Sequence, residues 1–206
     1  MGYELQAVIA GGELLCAAPR DLAGAGVVPL EQGLSLMPMT NELFDAFAED
    51  SAEGARGFWR LPGGFGRLLA QWSTAGPVAY VEAEYFGGAG EQQAAVWSDG
   101  AVVLGPLHTP EGVPFPRAGS PIAQALRRLG AVADTAEDEF SAVGLDRHRH
   151  TEDWIASPRA CLSDHPGAAT PGTAPRRVVA SPEYAQYAGD APPCDAPHRT
   201  PRPDPG

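Results

Sequence analysis

The sequence predicts an α+β domain over residues 1–156, in which amphipathic helices back an antiparallel sheet of about five strands. Residues 78–104 alternate apolar and polar side chains in the pattern of three consecutive strands. Within them, Asp99-Gly100 is a type I′ hairpin signal, because both residue types accept a positive φ. Apolar stripes at helical spacing stand on either side of these strands, at residues 65–72 and 122–129.

The segment before the first helical stripe predicts further strands and a short helix. Alternation over residues 3–9 is typical of a half-buried strand. Residues 12–18 predict a short helix that Pro19 ends. Residues 27–30 and 34–39 then predict a hairpin around a glycine.

Local capping signals place the remaining helices. Thr40 is an expected N-cap for a helix that buries Leu43, Phe44 and Phe47, and an acidic surface loop is expected over 49–57. Ser120-Pro121 supplies an N-cap and a first-turn proline for a helix that Gly130 closes. A last short acidic helix is expected over residues 137–143.

Charge and cysteine usage exclude some classes of protein. The chain has 14 basic residues, all arginine, against 26 acidic ones, and its formal charge is −12. We therefore expect no nucleic-acid binding, which requires a basic surface. No apolar window is long enough for a membrane span, and the first 20 residues do not resemble a secretory signal. Three widely spaced cysteines imply no disulfide framework, so the sequence favours a reduced cytoplasm.

Residues 157–206 differ in composition from the rest of the chain. They hold 11 of the 21 prolines, and their five acidic and five basic residues cancel. Apolar periodicity is almost absent there, so we expect a disordered tail. Whether this tail is functional or the product of a shifted reading frame is left open.

The three predicted strands suggest a binding surface. With Gly87–Gly90 as the loop, Glu84 pairs with Gln93 and Tyr80 with Trp97. One face then carries small apolar residues for the core (Val81, Ala83, Val96, Val103). The other face carries a mixture of aromatic and polar side chains suited to recognition (Tyr80, Glu82, Glu84, Glu91, Gln93, Trp97). The alternative is that the two rings are covered and the carboxylates are merely solvated.

Catalytic and metal sites are the competing hypotheses. Glu82 and Glu84 share one strand face, and paired carboxylates can act as general acid and base, so a hydrolase that also uses His108 is the alternative function. His148 and His150 form an H-x-H motif, which is the weaker hypothesis of a metal site. No cofactor is expected, since no nucleotide-binding or other cofactor motif occurs.

Three strings of the chain resemble uncharacterised small proteins of high-GC actinobacteria of the Streptomyces type. They are residues 77–88 (PVAYVEAEYFGG), 94–97 (AAVW) and 138–145 (DEFSAVGL). The resemblance covers roughly residues 1–156. It implies no activity, cofactor or catalytic residue.

The sequence therefore favours a non-enzymatic, cytoplasmic, acidic module that binds a basic protein. Neutralisation of a partner, as immunity proteins and antitoxins perform it, is one form of this function. The sequence leaves the partner and the oligomeric state open.

Overall fold

The computed structural model describes residues 2–19, 22, 24–48, 57–134 and 136–155 and shows an antiparallel sheet with helices packed on both faces. The strands are β1 (Gly2–Gly11), β2 (Val28–Pro29), β3 (Leu34–Pro38), β4 (Val78–Phe86), β5 (Ala89–Ser98) and β6 (Ala101–Thr109). The helices are α1 (Gly12–Ala17), α2 (Asn41–Ala48), α3 (Phe65–Trp72), α4 (Pro121–Arg128) and α5 (Glu139–Ala142). Short 3-10 turns cover Leu145–Arg147 and Thr151–Trp154.

The α+β class is confirmed. Within the described residues the sheet has six strands, in the order β2-β3-β1-β4-β5-β6, where about five are predicted. All neighbouring pairs are antiparallel. Strand β1 lies between β3 and β4, so the first residues of the chain occupy the middle of the sheet.

Both faces of the sheet are largely buried, because a separate apolar core packs on each. On the α4 face, Leu5, Ile9 and Val81 pack with Ile122, Leu126 and Trp154. On the α3 face, strand and helix residues form a second core (Val8, Val78, Tyr80, Trp97, Phe65, Leu69, Trp72). The sequence predicts a core on one face of β4–β6 only, and the second core is the main departure from that prediction.

The predicted turns and caps are confirmed where the signal is local. Asp99 and Gly100 have φ values of 52° and 79°, as a type I′ turn requires. The Thr40 hydroxyl accepts a hydrogen bond from the Leu43 N–H at 3.2 Å. The Ser120 hydroxyl accepts one from the Ala123 N–H at 3.2 Å, which caps α4.

The predicted register of β4 against β5 is wrong by two residues. Gly87 and Gly88, at φ 63° and 90°, form a two-residue turn, so the ladder begins with Phe86 opposite Ala89. Gly90 belongs to the ladder, where it pairs with Tyr85, and a Cβ at this position would lie 2.2 Å from the Glu84 carbonyl oxygen. A slip of two residues keeps every side chain on its face and changes only its neighbours.

The prediction for Val103 is also wrong, because β6 contains a bulge. Trp97 pairs with Val102, as the two-residue Asp99-Gly100 turn requires, but Val96 pairs with Leu104. The extra residue between these pairs is Val103, which is 50% exposed. Leu104 packs against the core of the α4 face in its place.

Cys16 on α1 is disulfide-bonded, which the widely spaced cysteines did not indicate. No helix in the described ranges is long and apolar enough to cross a membrane. The predicted tail, residues 157–206, lies outside the described residues, as does most of the predicted acidic loop, residues 49–56.

Candidate functional site

The predicted binding face is closed over most of its length. Tyr80, Glu82 and Trp97 are at most 1% exposed, and Gln93 is buried as well. The prediction that these four residues face solvent is therefore wrong, and the alternative in which both rings are covered describes the structure. Residues 57–61, which we name the strap, lie over this part of the α3 face together with α3. The Phe58 ring meets Tyr80 edge-on at 5.2 Å.

Glu82 binds the backbone of the strap. Its carboxylate accepts hydrogen bonds from the N–H of Trp59 at 2.8 Å and of Arg60 at 2.7 Å. Burial raises the pKa of the Glu82 carboxyl above its ordinary value, and hydrogen bonds from Trp59, Arg60 and Tyr80 oppose that rise. The carboxylate thereby satisfies two backbone donors that the strap would otherwise bury without partners.

Tyr80 and Gln93 complete the attachment of the strap. The Tyr80 hydroxyl lies 2.9 Å from the Arg60 carbonyl oxygen and 3.1 Å from Glu82 Oε1. Burial, and secondarily the Glu82 carboxylate, raise the pKa of Tyr80 well above its ordinary value. The Gln93 amide donates to the Gly57 carbonyl oxygen at 3.0 Å and accepts from the Trp59 indole N–H at 2.9 Å. These sheet residues are thus occupied by the protein's own chain.

Arg60 links the strap to α2. Its guanidinium donates to Asn41 Oδ1 at 2.6 Å and lies 4.7 Å from the centroid of the Phe44 ring. The strap is therefore held from the sheet below and from the neighbouring helix.

The other end of the α3 face is open. Glu84 is exposed, and Glu91 directly opposite it on β5 is half-buried. Glu4 on β1, which the sequence analysis missed, lies opposite Glu84 on the other side and is exposed. Directly opposite residues of an antiparallel ladder share a face, so these three side chains form a carboxylate row (Glu4, Glu84, Glu91). His108 on β6 bonds to the row through Nε2, 3.0 Å from Glu91 Oε2.

The paired-carboxylate hydrolase is not supported by this geometry. Glu82 is wholly buried and its carboxylate is bonded to the strap, while Glu84 lies on the open row. An open depression of about 410 Å³ lies at the opposite end of the sheet and is lined by Gly11, Gly33, Gly76 and Leu129, among others. It contains neither carboxylate, and it lacks His108. The residues of the proposed catalytic group therefore do not line this depression.

Comparison with protein-family models, curated proteins and solved structures finds no match to this chain. The resemblance to actinobacterial proteins stays a prediction. A function must therefore follow from the chain's own residues.

The H-x-H motif packs against the end of the domain. The His148 ring meets Trp154 edge-on at 4.7 Å, and the Arg147 guanidinium lies 5.3 Å from the Trp154 ring centroid. His150 is exposed. Among the described residues, no group of three or more histidine, cysteine or acidic side chains is placed to hold a metal ion. Trp154 is wholly buried and packs in the core of the α4 face.

Proposed function

We propose that this protein is a non-enzymatic module that binds a basic protein at the open end of the α3 face. The observation that carries the proposal is the carboxylate row, three glutamates in register on adjacent strands at an uncovered part of the sheet. Neutralisation of the partner is one form that such binding takes. The proposed binding site keeps Glu84 and Glu91 from the predicted binding face and also includes Glu4.

The electrostatics of the row support a cationic partner. Cβ atoms of directly opposite residues lie about 4.5–5.5 Å apart, and like charges at that separation destabilise the sheet. Among the described residues, His108 lies 3.0 Å from Glu91 and the Gln6 amide donates to Glu4 at 3.2 Å. Lysine or arginine side chains of a partner would relieve the remaining repulsion, so binding would recover free energy that the free protein lacks.

The charge of the whole chain supports the same partner. The formal charge is −12, and the acidic and basic residues of 157–206 cancel, so the excess belongs to residues 1–156. A strong negative field increases the association rate with a basic protein and disfavours acidic ones. The sequence suggests the cytoplasm as the compartment, but the disulfide at Cys16 is more typical of an oxidising one. The proposed binding does not depend on either.

Affinity capture with matched charge variants tests the proposal. The full chain, its Glu84→Gln/Glu91→Gln variant and a Glu31→Gln/Glu137→Gln control would each be used to capture proteins from the source cells. Both control residues are exposed and lie outside the row. We expect a basic protein whose recovery falls only with the row variant, and whose association with the wild type slows as salt rises. Equal recovery of every partner by the row variant and the control would remove the row as the binding site.

A further inference from the structure

The loop between β6 and α4, residues 110–118, is exposed along its entire length. The flanking residues Thr109 and Ser120 are buried. Both ends of the loop are attached near Gln92 of β5. Thr109 pairs with Gln92, and the Gln92 side-chain oxygen accepts a hydrogen bond from the Ile122 N–H at 3.3 Å. The loop therefore projects from one place at the edge of the sheet.

The backbone of this loop is constrained in two ways. Pro110, Pro114 and Pro116 fix φ at three positions. Two turns close within it, because the Val113 N–H donates to the Pro110 carbonyl oxygen at 3.2 Å and the Gly119 N–H donates to that of Pro116 at 2.9 Å. A loop restricted in this way loses little conformational entropy when it binds.

Side chains of α4 clamp the exit of the loop. The Arg127 guanidinium donates to the Ala118 carbonyl oxygen, and Gln124 Nε2 donates to that of Gly119 at 2.9 Å. Arg127 is itself fixed by Glu139, with Nε 2.5 Å from Oε1 and Nη2 3.0 Å from Oε2. The clamp holds in place a segment that contributes little to either core.

The loop presents apolar side chains to solvent. Val113 is 52% exposed and Phe115 is 47% exposed. Phe86, at the β4–β5 turn on the same side of the sheet as Glu84 and Glu91, is 79% exposed. Apolar and aromatic side chains on a fixed backbone are the anchors of protein interfaces.

The loop borders the carboxylate row. His108, which is bonded to Glu91, lies two residues before Pro110, the first residue of the loop. We infer that the β6–α4 loop is the apolar arm of the proposed binding surface, and that it places Val113 and Phe115 in an apolar cleft of the same basic protein. This inference rests on the proposed function and adds the kind of partner surface required, an apolar cleft rimmed by lysine or arginine that meets the row.

Site-specific crosslinking in the source cells tests the arm. A benzophenone amino acid would replace Phe115 in the full chain, with the same substitution at Val132 as the control. Val132 is 61% exposed and bonded through its backbone to Gln32 of the β2–β3 turn, away from the loop. We expect a basic protein to crosslink from position 115 and not from 132. Equal crosslinking from both positions, or crosslinks only to acidic proteins or to a second copy of this chain, would overturn the inference.

Once crosslinking has identified the partner, titration with the purified partner separates the contribution of the arm to binding from that of the row. We expect Phe115→Ser to weaken the affinity about ten-fold or more, while Val132→Ser has no effect. The Glu84→Gln/Glu91→Gln variant should slow association and reduce its salt dependence. If Phe115→Ser binds as the wild type and only the row variant weakens, the arm is wrong and the proposed function stands. If only Phe115→Ser weakens binding, the proposed role of the row is wrong, and if neither variant does, both proposals fail.

Discussion

The two ends of the α3 face have the same sequence pattern and opposite environments. Glu82 and Glu84 are two residues apart on β4 and point to the same side, yet Glu82 is wholly buried and Glu84 is exposed. The strap makes the difference, because it covers Glu82 and supplies two N–H donors to its carboxylate. Strand alternation thus determines which face a side chain occupies, and a segment distant in sequence determines whether that face is available to another molecule.

The largest expected effect tests whether the covered end is structural. We expect Trp97→Ala to lower the free energy of unfolding by about 3–5 kcal/mol, because the indole is wholly packed between the sheet and its helices. Phe86→Ala, which truncates an exposed ring at the open end, should change it by less than about 0.5 kcal/mol. Urea denaturation followed by circular dichroism measures both. Equal losses would mean that the two ends do not differ as described.

A smaller effect is expected from the carboxylate that binds the strap. Glu82→Gln places an amide NH2 where two backbone N–H groups need acceptors, so we expect a loss of about 1–3 kcal/mol. Hydrogen exchange at the Trp59 and Arg60 amides should become faster in this variant, because those amides lose their acceptor. The matched variant Glu84→Gln should leave both amides protected. Unchanged protection in Glu82→Gln would show that the strap does not depend on this carboxylate.

The pH dependence of stability distinguishes Glu82 from Glu139, a carboxylate whose pKa is lowered by its hydrogen bonds to Arg127. The folded-state pKa of Glu82 is raised above its ordinary value of 4.5. Its contribution to the free energy of unfolding is therefore complete below pH 4.5 and is lost as pH rises through the folded-state pKa. The folded-state pKa of Glu139 is lowered. Its contribution to the free energy of unfolding is therefore present above pH 4.5 and is lost as pH falls through the folded-state pKa.

The measurement is urea denaturation of the wild type, Glu82→Gln and Glu139→Gln from acidic to neutral pH. We expect the stability deficit of Glu82→Gln to be largest at acidic pH and to shrink as pH rises. The deficit of Glu139→Gln should instead grow as pH rises above its lowered folded-state pKa. A Glu82→Gln deficit that grows with pH would mean that the two backbone hydrogen bonds outweigh the burial of the charge.

The sequence could predict the parts of the fold that have local causes. Asp99-Gly100, the Ser120 cap and the apolar stripe of α3 each depend on residues a few positions apart, and all three are confirmed. The β4–β5 register was not determined in the same way, because a two-residue turn at Gly87-Gly88 and a four-residue turn over 87–90 are both acceptable, and a two-residue slip leaves both faces unchanged.

The candidate site depends on contacts between distant residues, so the sequence predicts it only in part. Glu4 joins the row because β1 pairs with β4, a contact that crosses about half of the described chain. The strap binds Glu82 through the backbone N–H groups of Trp59 and Arg60, which have no sequence signature. Glu84 and Glu91 were assigned to the same surface by strand alternation, and they lie at its open end because the strap does not cover them. Tyr80, Glu82, Gln93 and Trp97 were assigned to an open surface because nothing in their own strands indicates the covering segment.

The smallest expected effect concerns the repulsion within the carboxylate row. Glu84 lies between Glu4 and Glu91, so Glu84→Gln removes both like-charge contacts and should raise the free energy of unfolding by about 0.2–1 kcal/mol at low ionic strength. Glu31→Gln removes one negative charge as well, but Glu31 lies outside the row. We therefore expect it to stabilise the protein less than Glu84→Gln does. The difference between the two variants should vanish near about 1 M salt, where the Debye length is about 3 Å. Equal stabilisation by both variants would trace the gain to net charge alone and would remove the local repulsion that the proposed basic partner relieves.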